Sequence, residues 1–355
     1  MMEMKRIAIL IAHLGNGGAE RVSVNLANGF TKMGYEVHMV VFHNVEPEYT
    51  IDARVKMHYL EREDGRGNRV PIKIMRLRMI LKQINPDSVI ELGFAIKYII
   101  MGGLLHKYNY IFSLRNDPVL WEKDSKSIFK YLRNYYFDNA KYVVFQTEEA
   151  RAYFSASIQK KGVIIPNMIK EGLPMPYEGE RVREVVTFCR LNSQKNIYML
   201  LRAFKIFLED HNDYVLKLYG RGEEEDRLKV YANELGISDK VWFCGFNPNI
   251  HNDILRSMMY VNSSDYEGIS NSMIEALAIG IPTICTDCPP GGAKTFIRSG
   301  ENGILVPVGD YKAMAKAMAT IADDSKLRQK FSQNSIEIRK ELDLLSICKK
   351  WESLI

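Results

Sequence analysis

The sequence is poor in cysteine. Five cysteines among 355 residues are an odd number and lie scattered, which excludes a disulfide framework as the source of stability. Cys285 and Cys288 have C-x-x-C spacing, but a tetrahedral zinc site needs two further ligands at matching spacing, and the sequence offers no such pair. Nothing approaches the roughly 18 apolar residues of a spanning helix. The nearest run, residues 95–105, is broken by Lys97 and by Gly102-Gly103. A signal peptide is not expected: Ile7-Ala8-Ile9-Leu10-Ile11-Ala12 is short and leads into a glycine-rich turn, not a small-residue cleavage site. Low-complexity tracts and internal repeats are also lacking. The expected setting is cytoplasmic.

What is present reads as ordinary globular protein, with 46% hydrophobic and 26% charged residues. The length suits two domains better than one core. The net charge of +5 is unevenly placed. Residues 1–170 hold 25 Lys and Arg against 17 Asp and Glu, whereas the rest hold 23 against 26. Halves of different charge imply different partners. For the first half these are an anionic membrane surface or an acidic acceptor, and no nucleic acid is expected.

Strand-like and helix-like segments alternate, which predicts parallel sheets with helices on both faces. Strands are expected at residues 7–12 and 36–42, near His58, and at 88–91, 110–114, 143–146 and 162–165. Residues 171–183 carry Gly172, Pro174, Pro176 and Gly179 among few apolar residues, a linker composition. The pattern then restarts with strands at 185–188, 214–219, 241–243, 259–262 and 282–285. The expected architecture is α/β: two doubly wound, Rossmann-like domains facing a cleft. Residues 1–170 would form the first domain and 184–330 the second. A C-terminal helix at 331–355 would follow, with Trp351 either packing on the first domain or anchoring a surface helix. Ligands in such sheets sit beyond the carboxyl ends of the strands, so the cleft is the default site.

The most informative segment is Asp265-Tyr266-Glu267-Gly268-Ile269-Ser270-Asn271-Ser272-Met273-Ile274-Glu275-Ala276. Glu267 stands in a short polar loop, and Glu275 is expected about two turns into the helix that follows. Ser270 or Asn271 can cap that helix, and Gly280 and Pro282 end it. Free N–H groups at a helix start favour negative charge, and carboxylates accept hydrogen bonds from hydroxyls. The layout suits a diphosphate flanked by sugars, that is, a nucleotide sugar. Arg190 and Lys195, beyond the first strand of the second half, can grip a diphosphate from two sides. Read alone, they are two surface cations on a solvated loop. Gly15-Asn16-Gly17-Gly18 follows the first strand. It lacks the third glycine of the dinucleotide fingerprint, and Phe42-His43-Asn44 lacks the acid for an adenosine ribose. Residues 69–82 are basic and amphipathic, suiting either a sheet-covering helix or one lying on anionic lipid. Residues 126–137 mix cations and aromatics in the same two-sided way.

On these residues the chain resembles the family-4 retaining glycosyltransferases of the GT-B fold. The resemblance runs over nearly the whole length. It is carried by Arg190 with Lys195, Tyr219-Gly220-Arg221-Gly222, Phe243-Cys244-Gly245, the Glu267-x7-Glu275 motif, Gly280-Ile281-Pro282, Gly291-Gly292, Gly300-Glu301-Asn302-Gly303 and Gly17-Gly18-Ala19-Glu20. Among members, it is similar to bacterial enzymes that extend glycans on a lipid-diphosphate carrier. The resemblance implies that Glu275 holds the ribose hydroxyls and Glu267 contacts the donor sugar. Gly268, Ile269, Ser270 and Asn271 would face sugar and phosphates, Gly17 and Gly18 of the acceptor-side glycine loop would also bind the donor, and Arg190 and Lys195 would neutralise the leaving diphosphate. Arg190, Lys195 and Glu267 would be the catalytic set. Two positions depart from the family pattern. A common histidine of the first domain is absent from Ser113-Leu114-Arg115-Asn116-Asp117, so Arg115 or Asn116 would supply the first-domain contacts. A common glutamate appears as Thr295.

The resemblance thus implies transfer of a hexose or N-acetylhexosamine from a nucleoside diphosphate sugar, with UDP as the expected carrier, to a glycan or lipid-diphosphate-linked glycan. No cofactor is expected. No metal is expected either, since no Asp-x-Asp pair occurs. Localisation would be cytoplasmic, with peripheral contact at the inner face of the cell membrane. The alternatives are a sugar-nucleotide epimerase on the same fold and a non-catalytic nucleotide-sugar-binding protein.

Overall fold

A computed structural model describes residues 5–15, 17–47, 49–61, 69–119 and 127–355, with only the backbone for 127–129. Residues 1–4, Asn16 of the glycine loop and Lys126 of the basic aromatic stretch lie outside the described residues. The chain forms two compact units, Met1–Met168 with Leu342–Ile355, and Ile169–Glu341.

The first unit is built on seven parallel strands: β1 (Arg6–Ile11), β2 (Glu36–Val41), β3 (Lys56–Tyr59), β4 (Ser88–Glu91), β5 (Tyr110–Ser113), β6 (Tyr142–Phe145) and β7 (Gly162–Ile164). Their spatial order is β3-β2-β1-β4-β5-β6-β7. Register runs from Arg6 opposite Glu36 to Ile11 opposite Val41. Ile7, Ala8, Ile9 and Leu10 are wholly buried, as expected of a parallel strand covered on both faces, which therefore reads as one apolar run. Strand order reverses between β1 and β4, and the crevice at their carboxyl ends is the ligand position of such a sheet. The helices include α1 (Gly18–Lys32), α2 (Val70–Ile84) and α3 (Ile96–Met101). Gly34, at φ 91°, turns the chain after α1 where a side chain would be strained.

The second unit has β8 (Val182–Phe188), β9 (Val215–Tyr219), β10 (Val241–Gly245), β11 (Ser257–Asn262), β12 (Thr283–Thr286) and β13 (Ile304–Val306). The order is β10-β9-β8-β11-β12-β13, again parallel, with the switch between β8 and β11. The strand β13 was not expected. Three residues paired along one side only carry too little pattern to stand out.

Two further segments differ from the sequence expectation. Residues 331–355 are not one helix: Ser325–Ser335, Ile338–Glu341 and Leu344–Glu352 are separate. The last packs on α1, where Tyr35 donates to Glu352 Oε1 at 2.6 Å. The linker is tied down: the Arg339 guanidinium donates to the carbonyls of Leu173, Pro174 and Ala278.

Candidate active site

In the second unit, two loops are laced together at the carboxyl ends of β8 and β11. After β8 the chain makes a short 3-10 turn, Ser193–Lys195, and Asn196 caps the helix Ile197–Phe207 through its side chain. Asn196 also donates to Asp265 at 2.6 Å. Gln194 donates to the Tyr266 carbonyl at 2.8 Å and receives the Asp265 N–H at 2.9 Å. The Ser263 hydroxyl donates to the Lys195 carbonyl at 2.8 Å. These bonds place the Lys195 ammonium against the Glu267 carboxylate as an ion pair, with the Ser264 hydroxyl 3.2 Å from the same oxygen. Burial alone would lower the Lys195 pKa. It is the largest single influence, but the charge and hydrogen bond of Glu267 together with the neighbouring Cys189 and Cys288 outweigh it, and the net shift is upward, so Lys195 stays cationic. An ammonium has three donors, so one carboxylate does not exhaust it.

Glycines bring backbones into contact around this pair. The loop 220–224 lies on residues 189–191, where a Cβ on Gly220 would meet the Cys189 carbonyl at 1.8 Å, and one on Gly222 the Leu191 carbonyl at 2.1 Å. A Cβ on Gly292 would meet the Gly268 carbonyl at 1.7 Å. Gly291 turns at φ 81° into the helix Gly292–Phe296. The Glu267 N–H donates to the Pro289 carbonyl at 2.9 Å. Gly268, Ile269 and Ser270 are thus buried between loops that only glycine permits.

Ser270 is the cap of the helix Asn271–Ala278, and its hydroxyl receives the Met273 N–H. Glu275 falls in the second turn. It is buried, and its Oε2 lies 2.8 Å from His251 Nε2. Arg190 is exposed beyond β8.

In the first unit, Gly17 is the extended cap of α1, and its carbonyl accepts from Arg21 N and from the Tyr49 hydroxyl. The Glu20 carboxylate folds back over Gly17, 3.6 Å from His13 Nε2. Beyond β5, Arg115 turns inward. It donates to Asn167 at 2.8 Å and stacks on Trp351, 5.4 Å from the ring centre. Burial lowers its pKa to about 9. Asn116 is exposed, and its side-chain oxygen receives the Asp117 N–H.

Comparisons with known proteins fit this geometry. The family model for glycosyl transferases group 1 matches residues 178–338, and the model for glycosyltransferase family 4 matches residues 16–171. The chain belongs to the family-4 glycosyltransferases. An uncharacterized glycosyltransferase of Haemophilus influenzae is 25% identical over 374 residues, covering 99% of this chain and 100% of that protein. The Campylobacter jejuni N-acetylgalactosamine-N,N'-diacetylbacillosaminyl-diphospho-undecaprenol 4-alpha-N-acetylgalactosaminyltransferase is 24% identical over 369 residues, covering 98% of each chain. Among solved structures, a variant of TarM from S. aureus in complex with Fondaparinux, alpha-GlcNAc-glycerol and UDP superposes with a TM-score of 0.81 at 14% identity, over 99% of both chains. That likeness establishes the shared GT-B fold.

Within this glycosyltransferase, the structure brings Lys195, Glu267, Gly268, Ile269 and Ser270 together at the carboxyl ends of the central strands β8 and β11. Glu275 lies on the same helix but turns to His251, a partner that sequence reasoning missed. The signal was slight: one histidine in Asn249-Ile250-His251. The Asn196–Asp265 and Gln194–Tyr266 ties were missed as well, because their partners lie about seventy positions apart. Thr295, the departure from the family glutamate, donates its hydroxyl to the Gly291 carbonyl at 2.9 Å. Cys285 and Cys288 are buried, and burial holds the Cys288 thiol up at about 12. Among the described residues, no group of three or more His, Cys, Asp or Glu is placed to hold a metal.

Proposed function

We propose that this glycosyltransferase moves a hexose or N-acetylhexosamine from a UDP-sugar to a hydroxyl of a lipid-diphosphate-linked glycan, keeping the anomeric configuration and using no metal. The observation that carries the reading is the fixed Lys195 ammonium beside Glu267, set among buried backbone at Gly268, Ile269 and Ser270. Preorganised cations and N–H groups stabilise a leaving diphosphate without reorganising as charge develops. In the proposed step the bond from the anomeric carbon to the diphosphate oxygen breaks. A bond to the acceptor oxygen forms on the same face, and the acceptor proton passes to a donor phosphate oxygen. Lys195 and Arg190 carry the growing charge, Glu267 orients the sugar and Glu275 the ribose.

The acceptor class is supported by the name of the C. jejuni relative, an N-acetylgalactosaminyltransferase acting on a diphospho-undecaprenol-linked sugar. The donor base is supported by UDP in the TarM complex. Contact with the inner face of the cell membrane belongs to the same reading. On α2, Met75 and Met79 are 55% and 63% exposed beside exposed Arg78 and Lys82, an apolar stripe flanked by cations as on a lipid-lying helix. No helix of the described residues is long and apolar enough to cross a membrane.

The test is incubation of UDP-N-acetylgalactosamine, UDP-N-acetylglucosamine or UDP-glucose with lipid-diphosphate-linked N-acetylhexosamine, followed by mass spectrometry. A glycosyltransferase adds one sugar mass to the lipid. An epimerase isomerises the donor without acceptor, and a binding protein does neither. Lys195→Ala and Glu267→Ala should each lose at least about tenfold in rate while remaining folded. Wild-type turnover in both would remove the site assignment.

A further inference from the structure

A second charged cluster stands at the carboxyl ends of β2 and β3, outside every motif that the donor site uses. His43 follows β2, and its N–H donates to the Ala12 carbonyl at 2.8 Å, continuing the β1–β2 ladder. Its ring Nδ1 lies 2.9 Å from Glu61 Oε1. Lys73, buried on α2, donates to the same oxygen at 2.7 Å. Asn44 N–H donates to Glu61 Oε2 at 3.0 Å. Burial of the Glu61 carboxylate would raise its pKa, but the donors from Lys73, Asn44 and His43 reverse this and hold it at about 2.

The cluster fixes the histidine's tautomer. Lys73 Nζ also stands 3.2 Å from Nδ1, but that ammonium already donates to Glu61 at the shorter distance of 2.7 Å. A carboxylate only accepts, so the 2.9 Å contact with Glu61 favours the hydrogen on Nδ1. Neutral imidazole then presents its lone pair at Nε2. Among the described residues, no group is bonded to that atom, and the side chain is 39% exposed. Lys73 and Glu61 already neutralise each other, so the His43 bond is not needed for charge balance. What it adds is a fixed ring orientation. Phe94 stands edge-on to the ring, 5.4 Å between centres. It follows β4, so His43 and Phe94 flank the β1/β4 switch point, the ligand position of this sheet. The glycine loop borders it too, since Gly15 abuts Val45.

We propose that His43 Nε2 accepts a hydrogen bond from a sugar hydroxyl of the acceptor, with Phe94 as the adjoining apolar face. Glu61 is the residue that positions the ring, and Lys73 positions Glu61. A lone pair suits a hydroxyl donor and disfavours an anionic oxygen, so this subsite takes the neutral sugar of the acceptor and not its diphosphate. The inference rests on the glycosyltransferase reading for the word acceptor, but the binding it describes is measurable without turnover.

The experiment uses the full chain with octyl N-acetylgalactosaminide as the probe. Ring 15N NMR should show His43 as the Nδ1–H tautomer, and the probe should shift Nε2. His43→Ala should raise the KM for the probe about tenfold, the value of one hydrogen bond, while UDP-sugar hydrolysis to water stays within about twofold. His43→Gln, which keeps a terminal acceptor, should recover part of the loss. Glu61→Ala, which removes the acceptor, should abolish the Nδ1–H signature and raise KM without lowering hydrolysis. An Nε2 signal indifferent to the probe overturns the proposal whatever the turnover. So does a His43→Ala protein with wild-type KM, or one whose hydrolysis and melting temperature fall together with transfer. A probe-dependent Nε2 shift in a protein that neither transfers nor hydrolyses would keep the subsite and remove the glycosyltransferase reading instead.

Discussion

His251 Nε2 stands 2.8 Å from Glu275 Oε2, and both side chains are buried. The imidazole belongs to the helix Ile250–Ile254 and is met edge-on by Phe188, 5.9 Å between centres. A buried carboxylate is tolerable only when its charge is met by donors. His251 is therefore one of the groups that let Glu275 sit inside the second unit. Replacing His251 by Ala should cost about 2 kcal/mol of stability, the penalty of a buried polar group that loses a partner. It should also weaken UDP binding, because the carboxylate rotamer is no longer fixed. Thermal unfolding and titration calorimetry with UDP check both. A His251→Ala protein with unaltered melting temperature and UDP affinity would show the pair to be idle.

The sheets were largely legible in the sequence for one physical reason. Parallel strands buried on both faces are apolar runs, and Ile7–Leu10 or Val185-Val186 announce themselves. The Glu267-to-Glu275 segment was legible because its cap, its glycine stop and its proline are local signals. The partners of those acids were not. Lys195 meets Glu267, and His251 meets Glu275, through closures of many residues that no periodicity encodes. The His43–Glu61–Lys73 cluster had a signal that passed unread. Lys73, Leu77, Leu81 and Ile84 lie on the buried face of α2, and a lysine in an apolar stripe demands a buried acid.

Gly292 and Gly268 form the closest backbone approach at the proposed donor site. A Cβ on Gly292 would lie 1.7 Å from the Gly268 carbonyl, and neither group is the end of a flexible chain. Gly292→Ala must therefore displace the loop that follows Glu267. Transfer should fall at least about tenfold, since small displacements at a reacting centre are costly, with the fold intact by circular dichroism. Gly300 is the control. It turns at φ 82° with nothing within 4 Å of an added Cβ, so Gly300→Ala should cost about 1 kcal/mol through backbone strain alone and leave turnover per folded molecule unchanged. Equal activities for the two variants would refute the steric argument.

Glu91 gives the first unit a pH signature. Its side chain is wholly buried at the end of β4. Oε1 receives the N–H groups of Phe94 and Ala95, while Oε2 has no hydrogen-bond partner among the described residues. Burial raises the carboxyl pKa to about 7, against a smaller downward effect of the N–H donors. The folded protein therefore binds a proton that the unfolded chain has already released above its ordinary carboxyl pKa. Stability from this group is full below about pH 4.5, declines as pH rises to about 7, and is flat beyond. Over that window the loss is about 3 kcal/mol. Glu91→Gln keeps the acceptor and cannot ionise, so it should remove the slope and stabilise the protein at pH 8. Urea unfolding at pH 5 and pH 8 reads the difference. Parallel curves for wild type and Glu91→Gln would exclude the assignment.

Gly29 determines how the C-terminal helix returns to the first unit. It lies on the face of α1 that meets the helix Leu344–Glu352, and an added Cβ would fall 2.3 Å from Cys348 Sγ and 3.3 Å from a Leu344 methyl. Cys348 and Trp351 are wholly buried on the same helix. Gly29→Ala should push the helix outward, with an overpacking cost of about 1–3 kcal/mol, and loosen Trp351 from Arg115. Tryptophan emission should shift to the red before global unfolding. Cys348→Ala removes the atom in the way, so the double variant should regain most of the loss. That coupling between two positions more than three hundred residues apart is what a double-mutant cycle measures. Strict additivity of the two substitutions would mean that the two helices do not meet at Gly29.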